Sequence, residues 1–330
     1  MQFKKFSILF LILFSSFITA SAQQDGEIIK VDSSIVRLNV GVADRHGRPI
    51  VNLNKENFSL YEDGVKQDIS RFEPTVAPFS VVMLLDMSGS TLGFREVIRQ
   101  SAFRFIDALA PDDRVAVVEF YDKIHLLNDF TTNRKSIANS INDANGRGKT
   151  QLYKTLDFAL EKLSKEGNRR KAIIVLTDGV DSSLRDADRS FLEKQKDADI
   201  PNAIKAETSD ALNKILSKSD SQGVTIYPLA LPTGDPSKLA EPTPIQTAMY
   251  NASRARLQIL ADRTGGTFNA INRLEDMGKL YATVAADLRS LYTIEYSPTD
   301  SKRNGKWRSI KIEVNNPELL SRTRTGYFAK

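Results

Sequence analysis

The sequence predicts an α/β protein, with a doubly wound, mostly parallel sheet and a small β-sandwich built from the two ends of the chain. Three observations predict it. Nearly continuous apolar runs at residues 79–85, 172–176 and 224–229 have the composition of strands buried on both faces, as in a parallel sheet covered by helices. Segments with helical apolar spacing separate and follow those runs, which is the alternation of a strand–helix–strand fold. Period-two alternation, the mark of half-buried strands, is confined to the two ends, within residues 34–72 and 292–328.

Taken in order, the first segment is an address. Lys4 and Lys5 precede an apolar run at residues 8–14 that Phe17 and Ile18 extend, and Ala20-Ser21-Ala22 supplies small residues for cleavage. This three-part order reads as a secretory leader over residues 1–22. Interrupted by Ser15 and Ser16, the run is shorter than the ~20 residues of a spanning helix. No later segment is apolar enough to span a bilayer. The expected mature chain starts near Gln23, has no membrane span, and is secreted or periplasmic. The chain has no Cys, so lipid attachment after the leader is excluded. An exported eukaryotic chain of 330 residues would ordinarily carry disulfides, so a bacterial origin is expected. The two glycosylation tripeptides, Asn57-Phe58-Ser59 and Asn251-Ala252-Ser253, are read as chance matches.

Residues 23–76 read as the N-terminal strands of the sandwich. Ile35, Arg37 and Asn39 alternate with Val36, Leu38, Val40 and Val42. A second strand covers residues 58–61, Asp63-Gly64 suits a tight hairpin turn, and residues 65–72 return. Residues 291–330 read as the complementary strands, with Asn304-Gly305 as a hairpin signal and alternation across Trp307 to Val314. Neither unit is large enough to bury a core alone, so the two are expected to complete one sandwich.

Residues 77–290 carry the α/β pattern. An apolar stripe through Val97, Ile98, Phe103, Phe105, Ile106 and Leu109 marks a helix after the first buried strand. Further helices are expected at 152–163, 254–263 and 274–288, and a polar one at 136–142. The charged stretch 185–222 is expected to be an insertion near the strand ends.

Composition limits the chemistry. Without Cys there is no zinc–thiolate site, iron–sulfur cluster or cysteine nucleophile, and with only His46 and His125 a multi-histidine metal centre is nearly excluded. The net charge of +5 falls to +3 once Lys4 and Lys5 leave with the leader. No clustered basic stripe accompanies it, so nucleic acid is not an expected partner.

Oxygen ligands remain. The first buried strand runs into Asp86-Met87-Ser88-Gly89-Ser90, which sets one carboxylate and two hydroxyls at alternate positions around a turn that Gly89 permits. The strand at 172–176 runs into Thr177-Asp178-Gly179, and Gly148-Lys149-Thr150 opens a helix with another hydroxyl. Ligands of open α/β sheets bind beyond the carboxyl ends of strands, where strand order reverses. If these strands are neighbours, Asp86 and Asp178 meet there. Such hard donors suit Mg²⁺, Mn²⁺ or Ca²⁺.

Asp86-x-Ser88-x-Ser90, then Thr150, then Asp178 resembles the metal-ion-dependent adhesion site of von Willebrand factor type A domains, and all five positions match. The resemblance covers about residues 77–290 and implies a Rossmann-like fold. The flanks, Val36-Arg37-Leu38-Asn39-Val40, Phe58-Ser59-Leu60-Tyr61-Glu62-Asp63-Gly64 and Gly326-Tyr327-Phe328, resemble those of a family of bacterial secreted proteins with such a domain. The resemblance implies that Ser88, Ser90 and Thr150 bind the ion, first Mg²⁺, through hydroxyls. Asp86 and Asp178 would act directly or through water. An acidic residue of a protein partner would complete the coordination.

Other chemistry fits less well. A phosphate-binding loop would need Gly where Asp143 stands. An aspartyl phosphotransferase would need a second Asp where Ser88 stands. A serine hydrolase at Ser88 or Ser90 would need a base that neither His46 nor His125 is patterned to supply. The expected function is metal-dependent protein binding or adhesion without catalysis. A structural or scaffold component of an envelope complex is the alternative, and a metal-dependent hydrolase ranks behind both.

Overall fold

The computed structural model describes residues 35–75, 77–271 and 277–329. The leader expected over residues 1–22 lies outside the described residues, as does position 76. The chain opens with β1 (Val36–Asp44), β2 (Phe58–Glu62), β3 (Val65–Gln67) and β4 (Ile69–Glu73). Its middle holds β5 (Phe79–Asp86), α1 (Arg95–Ala108), β6 (Arg114–Phe120), β7 (Ile124–Thr131), α2 (Arg134–Asp143) and α3 (Leu152–Ser164). It continues with β8 (Arg170–Thr177), α4 (Ser182–Leu192), α5 (Ile200–Ala203), α6 (Asp210–Gln222), β9 (Val224–Ala230), α7 (Pro244–Thr264), β10 (Asn269–Ala270) and α8 (Met277–Ser290). Last come β11 (Leu291–Tyr296), β12 (Trp307–Val314), β13 (Leu319–Arg322) and β14 (Gly326–Phe328).

Among the described residues the middle segment forms a six-stranded sheet in the order β10-β9-β8-β5-β6-β7. Only the β6–β7 pair is antiparallel. Every residue of β5 and β8 is buried, because side chains of successive residues enter two different cores. Val81, Met83 and Leu85 pack with α1, α2 and α8, whereas Val82 and Leu84 pack with α3, α6 and α7. The chain winds outward from β5 to β7, then lays β8, β9 and β10 on the other side of β5. Strand order therefore reverses between β5 and β8, and their carboxyl ends open into one crevice.

The two chain ends form two four-stranded antiparallel sheets, β13-β1-β11-β4 and β14-β12-β2-β3. Leu38, Val40, Tyr292 and Ile294 from the first pack on Phe58, Leu60, Ile310 and Ile312 from the second. The polar face of β1 is not left to solvent. Asn39 is buried, and its Nδ2 donates to Gly223 O at 3.1 Å and Thr225 Oγ1 at 2.8 Å, at the start of β9. Arg170 at the start of β8 donates to Thr75 O at 2.7 Å and also to Ala77 O and Leu291 O.

Several elements differ from the sequence expectation. Residues 65–72 are not one strand: the chain turns at Asp68, so that β3 and β4 lie in different sheets. The Asp63-Gly64 turn has both residues at positive φ, 49° and 79°, as its hairpin requires. Asn304-Gly305 does not join a hairpin, because β11 and β12 also lie in different sheets; Gly305 N–H instead bonds Ala329 O at 2.7 Å. Within the stretch 185–222 read as an insertion, α6 is a core helix, burying Leu212, Ile215 and Leu216 against the sheet. The helix read at 254–263 starts earlier, at Pro244, where Thr243 and Gln246 make a reciprocal cap. Trp307, at the start of β12, is not among the residues of the sandwich core. It is half-buried, with the Arg263 guanidinium 4.2 Å above its ring. None of the helices in the described residues is long and apolar enough to cross a membrane.

Candidate metal centre

The site grows from the ends of β5 and β8. The buried run of β5 ends at Asp86, whose side chain is fully buried. Its Oδ1 accepts the Ser88 N–H at 3.0 Å, folding the chain back on the carboxylate as short acidic side chains do in turns. Thr91 Oγ1 donates to Asp86 O at 2.7 Å and Ser88 O at 3.0 Å, which starts the helical turn at 89–94. The parallel register pairs Leu85 with Leu176 and so sets Thr177 level with Asp86. Thr177 Oγ1 donates to Asp86 Oδ2 at 2.7 Å.

Asp178 faces the same point from β8. Ser90 Oγ donates to Asp178 Oδ2 at 2.7 Å, and Ser88 Oγ lies 3.2 Å from Ser90 Oγ. Thr233 Oγ1, beyond the end of β9, donates to the same Asp178 oxygen at 3.1 Å. Val180 N–H holds the other oxygen at 3.0 Å. Gly179 has φ +82°, and a Cβ there would stand 2.7 Å from Leu257 Cδ1, so the turn lies close against α7.

The third loop is tied to the first two. Gly89 N–H donates to Gly148 O at 3.0 Å, while Thr150 and Ser182 are doubly bonded, Thr150 N to Ser182 Oγ at 2.9 Å and Ser182 N to Thr150 O at 3.0 Å. Ser90, Thr150 and Asp178 line one cavity. The structure therefore brings Asp86, Ser88, Ser90, Thr150 and Asp178 to the crevice between β5 and β8. Thr177, Thr233 and Ser182 also belong there and escape the sequence reading. Strand register would have found Thr177. Thr233 follows the apolar run of β9 as Asp86 and Asp178 follow theirs.

Electrostatics favour a cation. Burial, and next the negative charge of Asp178, push the Asp86 carboxyl up to about 7 against the hydrogen bonds from Ser88 and Thr177. Neither Asp86 nor Asp178 forms an ion pair with Lys, Arg or His among the described residues. No three His, Asp or Glu side chains converge as metal ligands among the described residues. The donor set is thus two carboxylates completed by hydroxyls, which fits a hard divalent ion. His125 lies elsewhere, on β7, with Nδ1 3.1 Å from Glu119 Oε1.

Residues 81–180 match the family model of the von Willebrand factor type A domain, a stretch that runs from β5 past Asp178. The chain contains a domain of this type. Solved structures with a similar fold include the von Willebrand factor domain of the type V pili tip protein Mfa5 from Porphyromonas gingivalis, at 16% identity and TM-score 0.46 over 64% of this chain and 94% of that one. A von Willebrand factor type A protein from Catenulispora acidiphila matches at 12% identity and TM-score 0.49, over 91% of this chain and 64% of that one. The PilB minor pilin from Streptococcus sanguinis matches at 14% identity and TM-score 0.44, over 65% of this chain and 62% of that one.

Proposed function

We propose that this chain is an exported protein, its leader at residues 1–22 removed, that binds a protein partner through a divalent ion, Mg²⁺ first, and performs no catalysis. One observation carries the reading: Asp86 and Asp178 are buried together at the strand-order reversal with hydroxyl and amide donors around them and, among the described residues, no basic side chain paired to either. Two carboxylates in that setting repel each other and lose solvation, a cost that a hard cation offsets. Ser88, Ser90 and Thr150 would hold the ion with hydroxyls, and Asp86 and Asp178 with carboxylates. When bound, the ion supplies a coordination position that an Asp or Glu of the partner can occupy.

This chain's own residues prepare that position. Thr177 and the Ser88 N–H hold both oxygens of Asp86, so its plane is set before any ligand arrives. Thr233 and Val180 do the same for Asp178. Ser90 is exposed at the mouth while Asp86 is fully buried, so an approaching carboxylate meets the hydroxyl side of the site first. The test is capture of partners from envelope extract by the immobilised protein, with Mg²⁺ and with chelator. Capture that the chelator abolishes and that Asp86→Asn lacks supports the reading. Capture indifferent to both would replace it with a scaffold role.

A further inference from the structure

A groove of about 410 Å³ opens from Ser90, Thr150 and Asp178 and runs between α4 and α7. Its walls are held in place. Arg256 of α7 clasps Asp188 of α4 with both terminal guanidinium nitrogens, at 2.6 Å and 3.0 Å. Leu192 at the end of α4 packs with Ile200 and Ala248.

Sorting the groove's charges leaves a clear balance. Asp188 is neutralised by Arg256, Arg185 is paired with Asp186 at 2.9 Å, and Asp181 is engaged in capping α4 through the Ser183 and Leu184 N–H groups. Lys149 and Arg189 also line the groove and are exposed, and neither side chain has a hydrogen bond or ion pair among the described residues. Beyond the metal donors, the uncommitted charge of the groove is therefore positive. Beside it lies an apolar shelf of Leu239, 47% exposed, with Met249 and Tyr250. The Arg254 guanidinium, 4.9 Å from the Tyr250 ring centroid, steadies that ring.

We propose that this groove docks a linear acidic segment of the partner protein. One carboxylate of the segment reaches the metal donors, a large apolar side chain seats on Leu239, Met249 and Tyr250, and a second carboxylate meets Lys149 or Arg189. This rests on the metal-dependent reading above and names what selects the partner. The metal position alone accepts any exposed Asp or Glu, whereas an adjacent pocket and a matched charge supply the discrimination.

The probe is a phage library of random linear peptides, selected on the protein in Mg²⁺ and eluted with chelator, beside a Mg²⁺ thermal-shift assay. The expected eluate is enriched in peptides with two acidic residues flanking Leu, Ile, Phe or Met. Lys149→Glu with Arg189→Glu should weaken an enriched peptide on the order of tenfold, as for charges facing a ligand at an interface rim. Leu239→Ser, at an exposed position, should remove the apolar preference while leaving the Mg²⁺ thermal shift intact. Chelator-eluted peptides bound equally by wild type and groove variants would overturn the groove and leave the metal reading standing. An empty eluate with an intact Mg²⁺ shift would overturn the linear-segment inference alone. Loss of the Mg²⁺ shift in wild type would overturn the metal reading and the inference with it.

Discussion

Thr177 Oγ1 donates to Asp86 Oδ2 across 2.7 Å, joining the carboxyl ends of the two central strands with both side chains fully buried. The same hydroxyl accepts the Gly179 N–H at 3.1 Å. Thr177→Val keeps the shape but leaves that amide and one Asp86 oxygen without their partner, a cost of about 1–3 kcal/mol. Urea unfolding of the metal-free protein should show it, and Thr177→Ser should recover most of the loss. Equal stability for Thr177→Val and wild type would mean the bond contributes nothing.

Metal and carboxylate can be separated at Asp86. Saturating Mg²⁺ should raise the melting temperature, with a stabilisation of about 2.7 kcal/mol at a hundredfold excess over Kd. Asp86→Ala and Asp86→Asn should both abolish that shift. Without metal, Asp86→Asn should be no less stable than wild type, because burial and Asp178 disfavour the charge that it removes. A wild-type protein whose melting is unmoved by Mg²⁺ would refute the site.

That Asp86, Ser88, Ser90, Thr150 and Asp178 lie near one another was legible because each stands at or beside a break in pattern. Asp86 and Asp178 end apolar runs, and Thr150 stands between Gly148 and the cap of α3 at Gln151. Thr177 and Thr233 were not legible, since their roles depend on which strands lie side by side. Pairing also explains the misread turn at Asn304-Gly305: its local signal is a real turn, but a turn does not say which sheet the next strand joins. What covers the polar side of β1 is not written in its alternation, because Asn39 finds its partners 184 and 186 residues away, at Gly223 and Thr225. Charged neighbours hid the core role of α6, although Leu212, Ile215 and Leu216 keep helical spacing.

The Arg256–Asp188 clasp should hold α4 against α7. Both side chains are largely buried, at 5% and 13% exposure. Removing one partner leaves an uncompensated charge, and Asp188→Ala should cost about 3–5 kcal/mol. Asp188→Ala combined with Arg256→Met should be more stable than Asp188→Ala alone, since the stranded guanidinium is gone. A double-mutant cycle in chemical denaturation measures this, and simple additivity would show that the pair is not coupled.

Gly148 sets the third loop of the site by having no side chain. Its φ is +128°, and a Cβ there would fall 2.1 Å from Asp122 Oδ2. Asp122 Oδ1 accepts the Lys149 N–H at 2.7 Å, and Gly148 O accepts the Gly89 N–H at 3.0 Å, so displacing Asp122 disturbs the first attachment of the loop that carries Thr150, and a shift of residue 148 itself disturbs the second. Gly148→Ala should therefore weaken Mg²⁺ binding, with backbone strain alone costing about 1–3 kcal/mol. Asp122→Ala removes the obstructing carboxylate but also the Lys149 partner, so by itself it should cost only the lost hydrogen bond. In Gly148→Ala with Asp122→Ala the clash is gone while the strain at positive φ persists. The double variant should then lose less affinity than the two single losses added together. Mg²⁺ titration calorimetry on the four proteins reads the difference. Strict additivity would mean that Asp122 is not what reserves position 148 for glycine.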